Sequence, residues 1–160
     1  MAQDIFLKIE GVNGESRDSA HKGEIDILAF STGVSQSGTM HMGGGGGGGK
    51  ASFQDLHVTK PVDKSSTELM LRCASGKHFP TAILTVRKAG DDPLEYMIVT
   101  MTDVLISSYS LGASGDSEKV TEQASLNFAK VKVEYKEQLQ AGGAGAQPSM
   151  TWNIAENKAE

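Results

Sequence analysis

Residues 40–60 read MHMGGGGGGGKASFQDLHVTK, and the residues after the glycines decide the fold. Seven glycines, Gly43 to Gly49, precede Lys50, so Gly44, four residues, Gly49 and Lys50 spell the G-x-x-x-x-G-K of a phosphate loop. Such a loop joins a buried strand to a helix whose N-terminal amides hold the anion, and a Ser or Thr must come next after the lysine to hold Mg²⁺. Ala51 stands in that place, and Ser52 comes one position late. From Ser52 to Lys60, SFQDLHVTK carries no helical stripe and reads as a strand, with Pro61 helping to end it. The glycines therefore read as a hairpin tip and not as a nucleotide cradle.

Outward from this hairpin the pattern stays β. Ile5, Leu7 and Ile9 alternate with Phe6 and Lys8, predicting a first strand. Glu24–Phe30 reads as a second strand and Val34–Met42 as a third, interrupted by Gly38. Only KSSTELMLRCASG changes period. It predicts a helix over residues 65–75, with Leu69, Met70, Cys73 and Ala74 on one face, Ser65 and Glu68 as a capping box, and Gly76 as the stop. Strands resume around Ala82–Val86. GDDP at Gly90–Pro93 reads as a turn, Glu95–Ser108 as a long strand, and Gly112–Ser117 as a loop. Val120–Gln138 is a second long strand, whose apolar phase shift predicts a bulge near Ala129. Residues 141–149 read as a flexible linker, and Met150, Trp152 and Ile154 as a short closing strand.

The expected fold is mainly β: an antiparallel β-barrel or two packed sheets of seven or eight strands, with one short flanking α-helix, in a single domain over residues 1–160. Several strands are apolar on both faces, which points to a covered outer face, for instance by a neighbouring subunit.

Composition narrows the function. A chain of 160 residues with 38% hydrophobic and 22% charged residues builds one core. A net charge of −5 gives no attraction to nucleic acid or an anionic membrane, and no apolar run spans a bilayer. Asp4 and Lys8 fall where a signal peptide needs its apolar centre, so a standard secretory route is not expected. The lone Cys73 suits a reducing compartment and reads as a core residue. His21, His41, His57 and His78 show no metal-ligand spacing, and no G-x-S-x-G is present. No catalytic residue, cofactor or metal is expected.

The glycine tip leaves two readings open. One is a plain flexible hairpin end. The other is a loop ordered by a partner chain, since fixing a backbone costs about 1–2 kcal/mol per residue, or roughly 7–14 kcal/mol for seven glycines, which interface contacts could offset.

Several stretches in order resemble one family: DIFLKIEGVNGESRDSAHKGEIDILAFS, VSQSGTMHMGGGGGGGK, VDKSSTELMLRCASGKHF, LTVRKAG, DVLISSYS, LNFAKVKVEY and the terminal TWNI. Together they resemble Hcp, the haemolysin-coregulated tube proteins of the bacterial type VI secretion system. Two features depart from the family's usual pattern: Phe30 stands where many members carry Trp, and the glycine run is unbroken where relatives often carry Ala. The resemblance implies a tight β-barrel with one helix, a homohexameric ring with a wide channel, and stacking of rings into a tube. That tube would lie inside a contractile sheath, tipped by the spike protein VgrG, and carry small secreted effectors from the bacterial cytoplasm to the outside. No nucleic acid or membrane insertion is implied, and a toxin fused behind Trp152 is not expected.

On the same resemblance, ring and stacking contacts are expected at Gly43, Gly44, Gly45, Gly46, Gly47, Gly48, Gly49, Lys50, Ser52 and Phe53. Gly90 and Asp91 are expected on one ring face and Asn157 on the other. The channel wall is expected at Leu111, Gly112, Ala113, Ser114 and Gly115. The alternatives are a ring-forming effector carrier that does not stack, and a small-ligand-binding β-barrel or enzyme with the glycine loop as its lid.

Overall fold

The chain segment Ile25–Ser31 holds the architecture closed, because it changes partner half-way. A computed structural model describes residues 3–38, 49–90 and 93–160. Its strands are β1 (Gln3–Ile9), β2 (Ile25–Asp26), β3 (Ala29–Ser31), β4 (Val34–Ser35), β5 (Ser52–Phe53), β6 (Leu56–Pro61), β7 (Phe79–Lys88), β8 (Glu95–Gly112), β9 (Thr121–Tyr135), β10 (Ser149–Asn153) and β11 (Lys158–Ala159), with one helix, α1 (Ser66–Ser75). All pairings among the described residues are antiparallel. The order runs β11-β10-β9-β8-β7-β1-β2, and β6 bridges β3 to β9. Ile27 donates its N–H to the Ile5 carbonyl (3.0 Å), while Leu28 donates to Thr59 (2.8 Å). One bend thus hands the chain from β1 to β6, and the sheet closes into a barrel. The expected single strand over Glu24–Phe30 is in fact two strands, split at this bend.

The barrel is filled by alternate side chains: Ile5, Leu7 and Ile9 from β1, Ala82, Leu84 and Val86 from β7, Leu56 and Val58 from β6, and Met101, Ile106 and Leu126 from β8 and β9. The outward Phe6 is also buried. Its cover is internal, because residues 12–24 fold back over β1 and stack the His21 ring on it (centroids 4.3 Å apart). For this strand, the double-sided apolar pattern reflects a loop of the same chain. That loop closes through Gly14 N–H to Gly23 O (2.8 Å) and Ser16 N–H to Glu24 O (2.9 Å). A Cβ at Gly14 would sit 2.3 Å from the Glu24 carbonyl oxygen, against rigid backbone. Gly14→Ala is therefore expected to cost about 1–3 kcal/mol, as overpacking does; an unchanged urea midpoint would show that the loop yields freely.

The helix forms where expected. Gly76 closes it in the left-handed region (φ 69°), donating its N–H to Arg72 O (2.9 Å). Its start differs from the expected capping box. Ser65 caps nothing and donates its hydroxyl to Asp63, while Glu68 pairs with Arg72 (2.7 Å). The inward face also differs: Ser66 and Leu69 are buried and Cys73 packs against the core, whereas Met70, Leu71 and Ala74 are exposed. Two contacts set this rotation, Ser66 Oγ donating to Glu122 (2.8 Å) and the Arg72 guanidinium over the Phe79 ring (4.5 Å).

Below α1, Lys60 and Glu122 face each other across β6 and β9, both inward and fully buried. Lys60 Nζ donates to Glu122, to Asp63 (3.0 Å) and to the Pro61 carbonyl (3.0 Å), and the Tyr109 hydroxyl donates to the other Glu122 oxygen. Burial, then the adjacent Glu122 carboxylate, pushes the Tyr109 phenol up to about 12.

The phase of β9 changes at Ala129 as expected, from Ala124, Leu126 and Phe128 to Val131. There is no register slip there, since Thr102 still faces Lys130 and Val104 faces Phe128. Instead β8 changes phase at the same level, through Asp103 at φ 54°, so the two strands turn over together. The slip itself lies further along β8, between Ile106 and Ser108. The stretch read as a flexible linker folds back on β9 in a hydrogen-bonded turn: Glu137 N–H donates to Ala146 O (2.8 Å) and Gly145 N–H to Glu137 O (2.7 Å).

Candidate functional site

In the described part of the glycine hairpin's stem, β4 pairs with β5 through Val34 opposite Phe53 and Ser35 opposite Ser52; residues 39–42 of the strand expected over Val34–Met42 lie outside the described residues. The strand expected from Ser52 to Lys60 breaks at Gln54 and Asp55 into β5 and β6. Gln54 N–H donates to the Gly33 carbonyl (2.8 Å), so the stem leaves the barrel as a separate two-stranded ribbon. Phe53, half-buried, stacks on Trp152 of β10 (6.4 Å, 27°) and fixes the lean of the ribbon. Gly43 to Gly48 lie outside the described residues. At the near end of the run, a Cβ on Gly49 would meet Ser37 Oγ at 2.2 Å, so the arms are still in contact there. Lys50 and Ser52 are exposed.

Beneath the ribbon lies an apolar recess of about 260 Å³. Val34, Phe53, Val133 and Met150 line its mouth, and Thr32 is its one polar lining side chain among the described residues. Val34 is 57% exposed and Met150 42%. A small-molecule site needs convergent polar groups to orient a ligand, and this recess offers almost none. Val34, Val133, Met150 and Trp152 are contributors that the sequence reading missed as site residues. For Met150 and Trp152 the signal was the shared face of a two-residue repeat in a strand read only as closing the sheet.

The other expected site residues fall on separate hairpin tips. Gly90 is exposed, with φ 148°, at the β7–β8 turn, which Lys88 N–H closes onto Leu94 O (3.1 Å); Asp91 lies outside the described residues. Leu111 and Gly112 end β8 opposite Glu122 and Thr121, and Ala113, Ser114 and Gly115 continue as exposed loop. Those two tips lie at opposite ends of β8. Asn157, in the left-handed region at φ 54°, turns the β10–β11 hairpin beside Ala129. The structure thus brings Phe53 to Trp152, while Gly90, Asn157 and Leu111–Gly115 stand on three separate turns.

One arrangement bears on hydrolysis. His57 Nδ1 lies 2.7 Å from Ser125 Oγ, but the nearby Asp55 carboxylate accepts from Ser107 (2.6 Å) and Asn127 (2.8 Å) rather than from His57. A serine relay needs a carboxylate to orient its histidine, and Asp55 is engaged elsewhere. His41 lies outside the described residues. Among the described residues, no three His, Cys, Asp or Glu side chains converge as metal ligands, and no helix is long and apolar enough to cross a membrane.

A closed barrel with one flanking helix and a projecting ribbon can be compared with known proteins. The sequence model of the family described as Type VI secretion system effector, Hcp, matches residues 6–135. The chain belongs to the Hcp family. Protein hcp1 of Pseudomonas aeruginosa is 53% identical over 159 residues, covering 98% of each chain. The crystal structure of Hcp1 from Salmonella typhimurium superposes with a TM-score of 0.83 at 40% identity, covering 100% of both chains. A structure described as a type six secretion system protein superposes with a TM-score of 0.94 at 34% identity, covering 99% of this chain and 100% of that one. The chain is thus a type VI secretion tube protein, a member of a secreted, structural family that assembles with itself.

Proposed function

We propose that the chain is the repeating subunit of the type VI inner tube, six copies closing a ring and rings stacking on one another. The tube, tipped by VgrG, leaves the bacterial cytoplasm when the surrounding sheath contracts, and small effectors ride in its channel. The role is mechanical and steric, without catalysis. One observation carries the reading beyond family membership: the β4–β5 ribbon stands off the barrel beside an apolar recess that its own chain leaves partly exposed, with Val34 and Met150 at the rim. Exposed apolar surface on a projecting element fits a second subunit better than water. Gly43–Phe53 then serves lateral and ring-to-ring contacts, Gly90–Asp91 and Asn157 the two ring faces, and Leu111–Gly115 the channel wall.

Charge governs stacking. Six copies at −5 each put about −30 on a ring. Facing rings repel at low salt, and physiological salt screens charges beyond roughly 8–10 Å. Sedimentation is expected to show free rings in dilute low-salt buffer and longer stacks as salt rises. Stacks that dissolve as salt rises would contradict the assignment of repulsion as the limiting term. Rings that never stack at any salt would favour an effector carrier acting as isolated rings.

A further inference from the structure

His21 makes a contact pattern that a neutral imidazole cannot complete. Its Nδ1 lies 2.9 Å from Glu24 Oε2 and its Nε2 2.5 Å from Glu95 Oε1. Carboxylate oxygens accept, so each ring nitrogen must donate, and only the doubly protonated ring has two N–H groups. The two carboxylates come from distant parts of the chain. Glu24 belongs to the loop that covers Phe6, and Glu95 opens β8, one residue after the Leu94 carbonyl that closes the Gly90 turn. We propose that His21 is a proton-controlled latch on the barrel end that carries the Gly90 turn: doubly protonated, it ties the 12–24 loop to the start of β8, and loss of one proton frees Glu95.

The surrounding charges leave His21 as the group that switches. Its own loop presents Glu24 and Asp18, the latter accepting the His21 backbone N–H (3.2 Å). β8 presents Glu95. β7 presents Arg87, lying over the Phe6 ring on which His21 stacks, and β1 presents Asp4, bonded to Arg87 (3.0 Å). Arg87 holds the Asp18 carboxyl down to about 2, and Asp18 and Asp4 hold the guanidinium above its ordinary range, so that pair keeps its charges throughout the histidine range. Burial disfavours charge on His21, but the hydrogen bonds and charges of Glu24 and Glu95 outweigh it and raise the imidazole above its ordinary 6.5. A raised value means that the latch's contribution to stability is fully present below about pH 6.5 and is lost as pH rises through the folded value.

The link to assembly rests on the tube reading, in which the Gly90 turn meets the next ring. The test is a ¹⁵N NMR titration of the histidine rings in the full chain, beside sedimentation of stacked rings across the same pH range. His21 is expected to titrate above 6.5 and to carry both ring protons below it. Glu95→Gln should lower its midpoint, and stacking should fall through the His21 midpoint in each protein. A singly protonated His21 at pH 6, or an unmoved midpoint in Glu95→Gln, would overturn the latch. So would stacking that ignores pH while His21 titrates. A chain that stacks at no pH would contradict the tube reading instead, and the titration of Glu95→Gln would still decide the latch. Should Glu95→Gln fail to fold, Glu24→Gln serves the same comparison.

Discussion

Glu122→Ala is expected to destabilise the chain by about 3–5 kcal/mol, the usual cost of removing one partner from a buried ion pair. The variant leaves the Lys60 ammonium buried with Asp63 and the Pro61 carbonyl, and it strips Ser66 and Tyr109 of their acceptor. Those groups join β6, β9, β8 and the first turn of α1, so the loss should loosen the helix as well as the barrel. Urea unfolding gives the magnitude. The double variant Lys60→Met/Glu122→Leu removes both charges and is expected to recover part of the loss, since replacing a whole buried pair by apolar side chains is often near neutral. A loss below about 1 kcal/mol in the single variant would mean that water reaches Lys60.

Shortening Gly43–Gly49 to two residues is expected to leave rings intact and abolish stacks. The stem is held by its own ladder, by Gln54 on Gly33 and by Phe53 on Trp152, none of which involves the deleted glycines. The fold should therefore survive, with an unfolding midpoint close to that of the parent. Electron microscopy after raising the salt would show single rings where the parent forms tubes. Tubes of normal length in the shortened chain would reduce the glycine run to a plain hairpin tip.

Much of this was legible in the residues, for reasons of period. Ile5, Leu7 and Ile9 line the barrel because alternation puts them on one face, and α1 stops at Gly76 because a left-handed residue was needed there. The errors have physical causes too. Glu24–Phe30 has the apolar content of one strand, and only the tertiary switch from Ile5 to Thr59 as acceptor divides it. Ser65 and Glu68 have capping-box spacing, but Asp63 and Arg72 compete for their side chains. Lys60 continues the inward alternation of Leu56 and Val58, as Glu122 does that of Ala124 and Leu126. That shared phase was the available sign of a buried pair, masked because both residues stand next to strand ends, where charged side chains commonly reach solvent. The Phe53–Trp152 stack joins residues far apart in sequence and could not be read from either segment alone. What each tip faces in an assembly belongs to a second chain.

The most direct measurement is the solution mass of the purified chain by light scattering on a sizing column. Six chains of 16.9 kDa in one particle, with heavier species in whole-ring steps as salt rises, is the predicted result. A single 16.9 kDa species at every salt and concentration would contradict the account.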